Sequence, residues 1–352
     1  MRKAYLVLQD GSIFEGFGFG AEQGCIGELV FTTGVCGYVE TLTDPAYYGQ
    51  IVVQTFPLIG NYGMMEDDFQ NAPAVKGYVV REWCNTPSNF RCEYDIDTFL
   101  KNQGIPGIYG VDTRELTRIL RDKGTMNAMI TDTLPADGQA IAAYKIENAV
   151  ASVTCKEPLS FPAGEEQYKV VLWDLGYQKY IIDQLNTMGC SVTVVPASTT
   201  ADQILAMNPN GVIVMGGPGD PAENTDLIAN VKALMGQVPM LGIELGHLVM
   251  ALAQGGQVVK MTHGHHGGNQ PAREVGSMRT FITAQNHNYA VNSDTVATGK
   301  RWFYNANDNT CEGVEYKDLS AYSIAFQPTF HVGPRNPAFI LNHFADLMGG
   351  NK

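Results

Sequence analysis

Two short stretches carry residue types at spacings that suit chemistry on an acyl or amide group. The first is Met215-Gly216-Gly217-Pro218-Gly219-Asp220-Pro221. Three glycines in five residues let the backbone approach a bound group and turn N–H donors toward it, as an oxyanion or carboxylate requires. The second is Gly242-Ile243-Glu244-Leu245-Gly246-His247. A short apolar run passes there into a helical pattern through one residue flanked by small neighbours, the arrangement of a nucleophile elbow. A thiol or hydroxyl at its centre would be activated by the helix N-terminus and a nearby histidine. This chain has Glu244 there, a carboxylate that suits a helix N-terminus but attacks an amide poorly.

Seven cysteines (Cys25, Cys36, Cys84, Cys92, Cys155, Cys190 and Cys311) are scattered, odd in number and without a Cys-x-x-Cys pair. The pattern predicts reduced thiols rather than a disulfide framework or a zinc site. The cluster His263, His265 and His266 has metal-ligand residue types but is read as a structural motif, with no metal.

Alternation of short β-branched runs with helices positions both loops. From Val170 onward, strands at Val170–Trp173, Ser191–Val195, Gly211–Val214 and Met240–Ile243 alternate with helices over Gln178–Met188, Thr200–Met207, Asn224–Met235 and Leu245–Ala253. This predicts a doubly wound parallel sheet, whose ligand crevice lies at the carboxyl ends of its strands. Residues 1–154 read as a β-rich domain. It opens on a hairpin through Asp10-Gly11 and holds one well-signed helix, with Asp112 as N-cap, Glu115 three later and Gly124 at the end. Residues 155–168 cluster Pro, Gly and charge and are predicted to be a linker to a domain over 169–352.

Length and charge narrow the function. A chain of 352 residues predicts about two domains, and 45% hydrophobic with 17% charged residues excludes a disordered one. The balance of 23 basic against 36 acidic residues gives −13, which disfavours nucleic acid and anionic membranes as partners. No apolar run approaches the roughly 20 residues of a membrane span, and the N-terminus meets charge and a turn too early for a signal peptide. A cytoplasmic protein is expected.

Further motifs, in order, carry a resemblance. They are Gly37-Tyr38-Val39-Glu40-Thr41-Leu42-Thr43-Asp44-Pro45, Ile59-Gly60-Asn61, Ser88-Asn89-Phe90-Arg91 and Asp112-Thr113-Arg114-Glu115-Leu116-Thr117-Arg118. Later come Gly217-Pro218-Gly219-Asp220-Pro221, the elbow, Gly264-His265-His266-Gly267-Gly268-Asn269 and Ala284-Gln285-Asn286-His287. Together they resemble, over nearly the whole chain, the small subunit of carbamoyl phosphate synthetase. The second half of that subunit is a class I, triad-type glutamine amidotransferase. The resemblance implies a β-rich domain that docks a large subunit and a flavodoxin-like amidotransferase domain. It also implies glutamine hydrolysis by a Cys-His-Glu triad and delivery of ammonia to that large subunit. There ATP, magnesium and bicarbonate are used to make carbamoyl phosphate for pyrimidine and arginine synthesis. No cofactor is expected in this chain itself.

Against that family the site residues depart. The elbow cysteine falls on Glu244. The His-Pro-Glu that follows Phe-Gln in the family is replaced after Phe326-Gln327 by a segment about two residues shorter, with His331 as the one conceivable stand-in base. Pocket positions fall on Gly34, Leu248, Asn288 and Tyr289, which differ from the family, and on Gly217, Gly219, Leu245 and Asn286, which match it. The first reading is a small subunit that has lost glutamine hydrolysis and supports or regulates an ammonia-using large subunit, its altered pocket open to a glutamine-like molecule. The alternatives are a glutaminase rebuilt around His331 and Cys36, and a regulatory or binding module detached from the synthetase.

Overall fold

A computed structural model of the chain describes residues 2–277, 279–328 and 336–350. It divides into two compact units: Met1–Glu147 with Thr262–His266, and Asn148–Met261 with Gly267–Lys352.

The first unit is built on a closed barrel. Its strands, in order around the wall, are Arg2–Leu8, Ile13–Gly20, Pro106–Tyr109, Gly77–Val80, Gln50–Gln54, Cys25–Thr32 and Met126–Thr131. The expected hairpin is present, with Leu8 N donating to Ser12 O over 2.8 Å and Gly11 at φ 87° closing the turn. Alternate residues leave the wall on opposite sides. Ile51 and Val53 join one apolar cluster, while Val52, Tyr78 and Val80 join another. Both faces are therefore covered, which is why these runs are continuously apolar. The expected helix covers Thr113–Lys123, with the Asp112 carboxylate accepting from Glu115 N and Gly124 ending it at φ 92°. Its outward arginines are engaged locally, Arg118 with Glu115 and Arg121 with Asp122.

One acid in this unit is out of place by ordinary rules. Glu40 is 4% exposed, and burial, with Asp68 adding to it, pushes its carboxyl up to about 7 from 4.5. A carboxyl whose folded pKa is raised favours the protonated, folded state. Its contribution is complete below 4.5 and is lost as pH rises through about 7. The difference corresponds to ~3 kcal/mol. Thermal unfolding of Glu40→Gln against the parent at pH 5 and pH 8 should show the variant gaining relative stability at the higher pH. A gap that does not change with pH would mean that Glu40 is ionised throughout.

The second unit is a ten-stranded sheet. Its parallel centre runs Cys190–Pro196, Tyr168–Asp174, Gly211–Val214, Met240–Ile243 and Ala321–Ile324, the 2-1-3-4-5 order of a flavodoxin-like sheet. The antiparallel strands Cys311–Tyr316, Thr280–Asn292, Gln257–Glu274 and Lys300–Asn305 extend it beyond Ala321–Ile324. The helix Ala201–Ala206 begins with a complete capping box, Thr200 with Gln203. Among the described residues, no helix is long and apolar enough to cross a membrane.

The expected linker is a correction. Residues 155–168 belong to the second unit, because Leu159–Phe161 pairs antiparallel with the edge strand Cys190–Pro196 and Cys155 N donates to buried Asp174. The division falls between Glu147 and Asn148 rather than at 154/155, since the helix Ala149–Val153 places Val150 in the second unit's core. Composition signalled a chain without periodicity, whereas a three-residue strand is defined only by the edge it meets.

Candidate functional site

The strand Met240–Ile243 ends at the sheet's carboxyl edge, and Glu244 turns the chain into the helix Leu245–Ala253. Glu244 has φ 48° and ψ −108°, a left-handed conformation that costs a non-glycine residue of order 1–3 kcal/mol and persists only where its surroundings impose it. Those surroundings are visible. Glu244 N donates to Ile324 O of the neighbouring strand over 2.8 Å, and Gly246 N donates to Met215 O over 3.1 Å. The small neighbours are required by contact: a Cβ on Gly242 would lie 2.5 Å from Met250 Sδ, and one on Gly246 would overlap the Val214 carbonyl. The elbow expected from Gly242 to His247 is thus formed, with a carboxylate at its centre.

The side chain of Glu244 is 3% exposed and accepts from Gln327 Nε2 over 3.2 Å. Its carboxyl lies against Gly216, where any Cβ would collide with Glu244 Oε2. The glycine-rich loop was expected to give a ligand close access to backbone. Part of that room is instead taken within the protein, by Glu244 beside Gly216 and by the Leu175 carbonyl beside Gly217. Gly219 has φ 89°, and a Cβ there would lie 2.6 Å from Ala149 Cβ.

The two positions on the elbow helix singled out in the sequence, Leu245 and Leu248, lie in the core. Leu245 and Leu248 are 2% and 3% exposed and join the apolar cluster that contains Trp173 and Val214. His247 is fully buried, its Nδ1 is 2.7 Å from Ser323 Oγ, and burial pushes it down to about 3. The ring stays neutral at neutral pH and ties the elbow helix to the strand Ala321–Ile324.

Asn286 is buried, and Asn288 and Tyr289 are half-buried, on the strand Thr280–Asn292. A buried polar chain fixes this strand. Gln285 Nε2 donates to Glu312 Oε2 over 2.8 Å, Asn305 Nδ2 donates to Glu312 Oε1 over 2.9 Å, and His287 Nε2 lies 3.1 Å from Gln285 Oε1. Sequence reasoning noted Gln285 and His287 as motif letters but not Glu312 or Asn305, whose partners lie on other strands. It also missed Asp174, which accepts backbone N–H bonds from Cys155, Gly176 and Tyr177 at the sheet's carboxyl edge. A cleft of about 490 Å³ opens at that edge between Thr154–Lys156, Pro196–Ser198 and Asn224–Leu227, and of the residues singled out in the sequence Cys155 lines it.

Gly34 and Cys36 belong to the first unit. Gly34 O accepts from Gln54 Nε2 over 2.8 Å. The Cys36 thiol is exposed, yet burial of its surroundings and the charge of Glu40 push it above the ordinary thiol value, the opposite of an activated thiolate. His263 stacks on Phe31 and His266 on Tyr47, with ring centroids 5.9 and 5.8 Å apart, so both rings serve packing. His331 lies outside the described residues.

Comparison with known proteins places this geometry. Residues 6–130 match the family described as carbamoyl-phosphate synthase small chain, CPSase domain, and residues 171–347 match glutamine amidotransferase class-I. The carbamoyl phosphate synthase small chain of Listeria monocytogenes serotype 4b (strain F2365) is 41% identical over 357 residues, spanning 100% of this chain and 98% of that one. The small chain of Archaeoglobus fulgidus is 42% identical over 355 residues, spanning 98% and 99%. That of Syntrophotalea carbinolica is 40% identical over 371 residues, spanning 99% of each.

Proposed function

The chain belongs to the carbamoyl phosphate synthase small chain family, and from that premise we propose that it is a small chain without glutamine hydrolysis, paired with a large subunit that takes free ammonia. The observation that carries this reading is Glu244 at the centre of an intact elbow. Glutamine hydrolysis through an elbow needs a nucleophile whose acyl adduct forms from an amide and then yields to water. A thiolate gives a thioester. A carboxylate attacking the same carbonyl would have to expel ammonia and leave an acid anhydride, far uphill from the amide. Glu244 has a carboxylate where a sulfur would be needed, with Gln327 hydrogen-bonded to it.

Other residues support the same reading. No His-Pro-Glu follows Phe326-Gln327 in the sequence. His247 is neutral, sealed and bonded to Ser323, so it cannot reach a substrate as a base. Leu248 offers the pocket no hydrogen bond, and Cys36 is not an activated thiol. Retention of a small-chain domain over residues 6–130 of the same chain favours a role held through the large subunit over a freestanding module.

Glu244→Cys alone tests the reading. The variant restores sulfur at the elbow but neither base nor pocket contacts, so glutamate release is expected to stay at the parent's level. Appreciable release would show that a working base and pocket survive, and the proposal would fall.

A further inference from the structure

We propose that Phe90 is an anchor by which the first unit holds the large subunit, its ring filling an apolar pocket whose rim is basic. The inference deepens the small-chain reading and rests on it. Ser88-Asn89-Phe90-Arg91 stands out in the sequence, yet nothing at Glu244 uses it. Phe90 is 97% exposed, against 36–68% for the other large apolar residues at the surface among the described residues. A single apolar residue at a surface ordinarily needs no explanation. Phe90 differs because almost none of its ring is covered and because the turn beneath it is fixed. It is the second residue of the turn Asn89–Cys92, which Cys92 N closes by donating to Asn89 O over 3.0 Å. Asn89 Oδ1 accepts from Arg91 N over 3.1 Å, and Asn89 Nδ2 lies 3.3 Å from Sδ of buried Met65. Ser88 N donates to Asn61 O over 2.9 Å and Glu93 N to Met64 O over 3.0 Å, so both arms of the turn are bonded to residues 61–64. The Arg91 guanidinium is drawn back to Asp68 over 2.7 Å and leaves the ring open. A phenyl group presented this way is ordered before it meets a partner, which lowers the entropy cost of burying it.

The charge around the turn selects the partner. Glu66, Asp67 and Asp68 directly follow the segment that holds the turn, and Glu93 follows the turn itself. The Glu93 carboxylate accepts from Glu66 N over 3.0 Å, and Asp68, Asp67 and Glu93 all act on the charge of Arg91. Four acids against one arginine repel an anionic bilayer or a nucleic acid. A second copy docked symmetrically on the same patch would bring acidic rim against acidic rim. The surface therefore calls for a different protein, with a pocket for a phenyl ring and lysine or arginine at its edge. The large subunit is the partner that the small-chain reading supplies.

The test measures association and dissociation rates of the full-length chain with its large subunit. Phe90→Ala is expected to weaken binding on the order of 30-fold, chiefly through faster dissociation, with its thermal unfolding midpoint equal to the parent's. Phe90→Leu should recover most of the affinity. Asp67→Asn combined with Glu93→Gln should instead slow association and flatten its dependence on salt. Undiminished affinity in Phe90→Ala, or a lowered midpoint that accounts for the loss, would overturn the proposal. So would self-association of the parent that Phe90→Ala abolishes, since a second copy would then be the occupant. Unchanged association in the double acid variant would overturn the basic rim. A parent that does not bind the large subunit would strike the small-chain reading itself, whereas a parent and Phe90→Ala that bind equally strike only the anchor.

Discussion

With glutamine as substrate, this chain is expected to release glutamate on the order of 10⁶-fold more slowly than a triad-bearing small chain. That is the scale of loss when the nucleophile of a catalytic triad is removed while the fold and pocket remain. Effects of residues acting as a unit are not additive, so the further absence of a His-Pro-Glu segment adds little to the loss but much to its permanence. This is why Glu244→Cys is expected to recover nothing. The measurement is enzymatic detection of glutamate with the large subunit present. A rate within about a hundredfold of an active small chain would require a nucleophile not identified in this structure.

Asp174→Ala is expected to destabilise the second unit by about 3–5 kcal/mol. Asp174 is fully buried at the end of the strand Tyr168–Asp174. One carboxylate oxygen accepts from Gly176 N and Tyr177 N over 2.8 and 2.7 Å, and the other from Cys155 N over 2.6 Å. Removing it strands three donors, that of Gly176 buried and those of Cys155 and Tyr177 half-buried, each costing up to about 1–3 kcal/mol and not additively. The damage reaches the site, because the Leu175 carbonyl beside this turn packs against Gly217 in the loop that faces Glu244. Asp174→Asn should recover part of the loss. It keeps an oxygen for Gly176 and Tyr177 and sets its amide against only the Cys155 N–H. Urea unfolding of both variants checks this, and equal loss in the two would show that charge, not the hydrogen bonds, carries the effect.

Local pattern made much of this fold legible. The parallel strands and their helices repeat apolar runs at regular intervals, and caps such as Thr200 with Gln203 and Asp112 with Glu115 mark helix starts with side-chain chemistry readable in one dimension. The elbow was legible because Gly242 and Gly246 bracket a single residue where strand meets helix. Two things were not. The strand Gln257–Glu274 contains His263-Gly264-His265-His266-Gly267-Gly268, which looks like a loop until its pairing partners are known. The strand Leu159–Phe161 sits in a Pro- and charge-rich stretch and exists through its pairing with Cys190–Pro196. At the site, the role of Glu244 as a non-thiol could be read directly, but its contact with Gln327 joins residues 83 apart in sequence. The same holds for Asp174 and Glu312, acids whose partners are fixed by tertiary packing.

The most direct test of the central claim is carbamoyl phosphate formation by this chain reconstituted with its large subunit, glutamine against ammonium as nitrogen donor at matched concentrations. Synthesis from ammonium with none above background from glutamine, in a complex that holds together on gel filtration, is the predicted result. Synthesis from glutamine at a rate comparable to that from ammonium would contradict it, and would mean that Glu244 stands in a site that still hydrolyses glutamine.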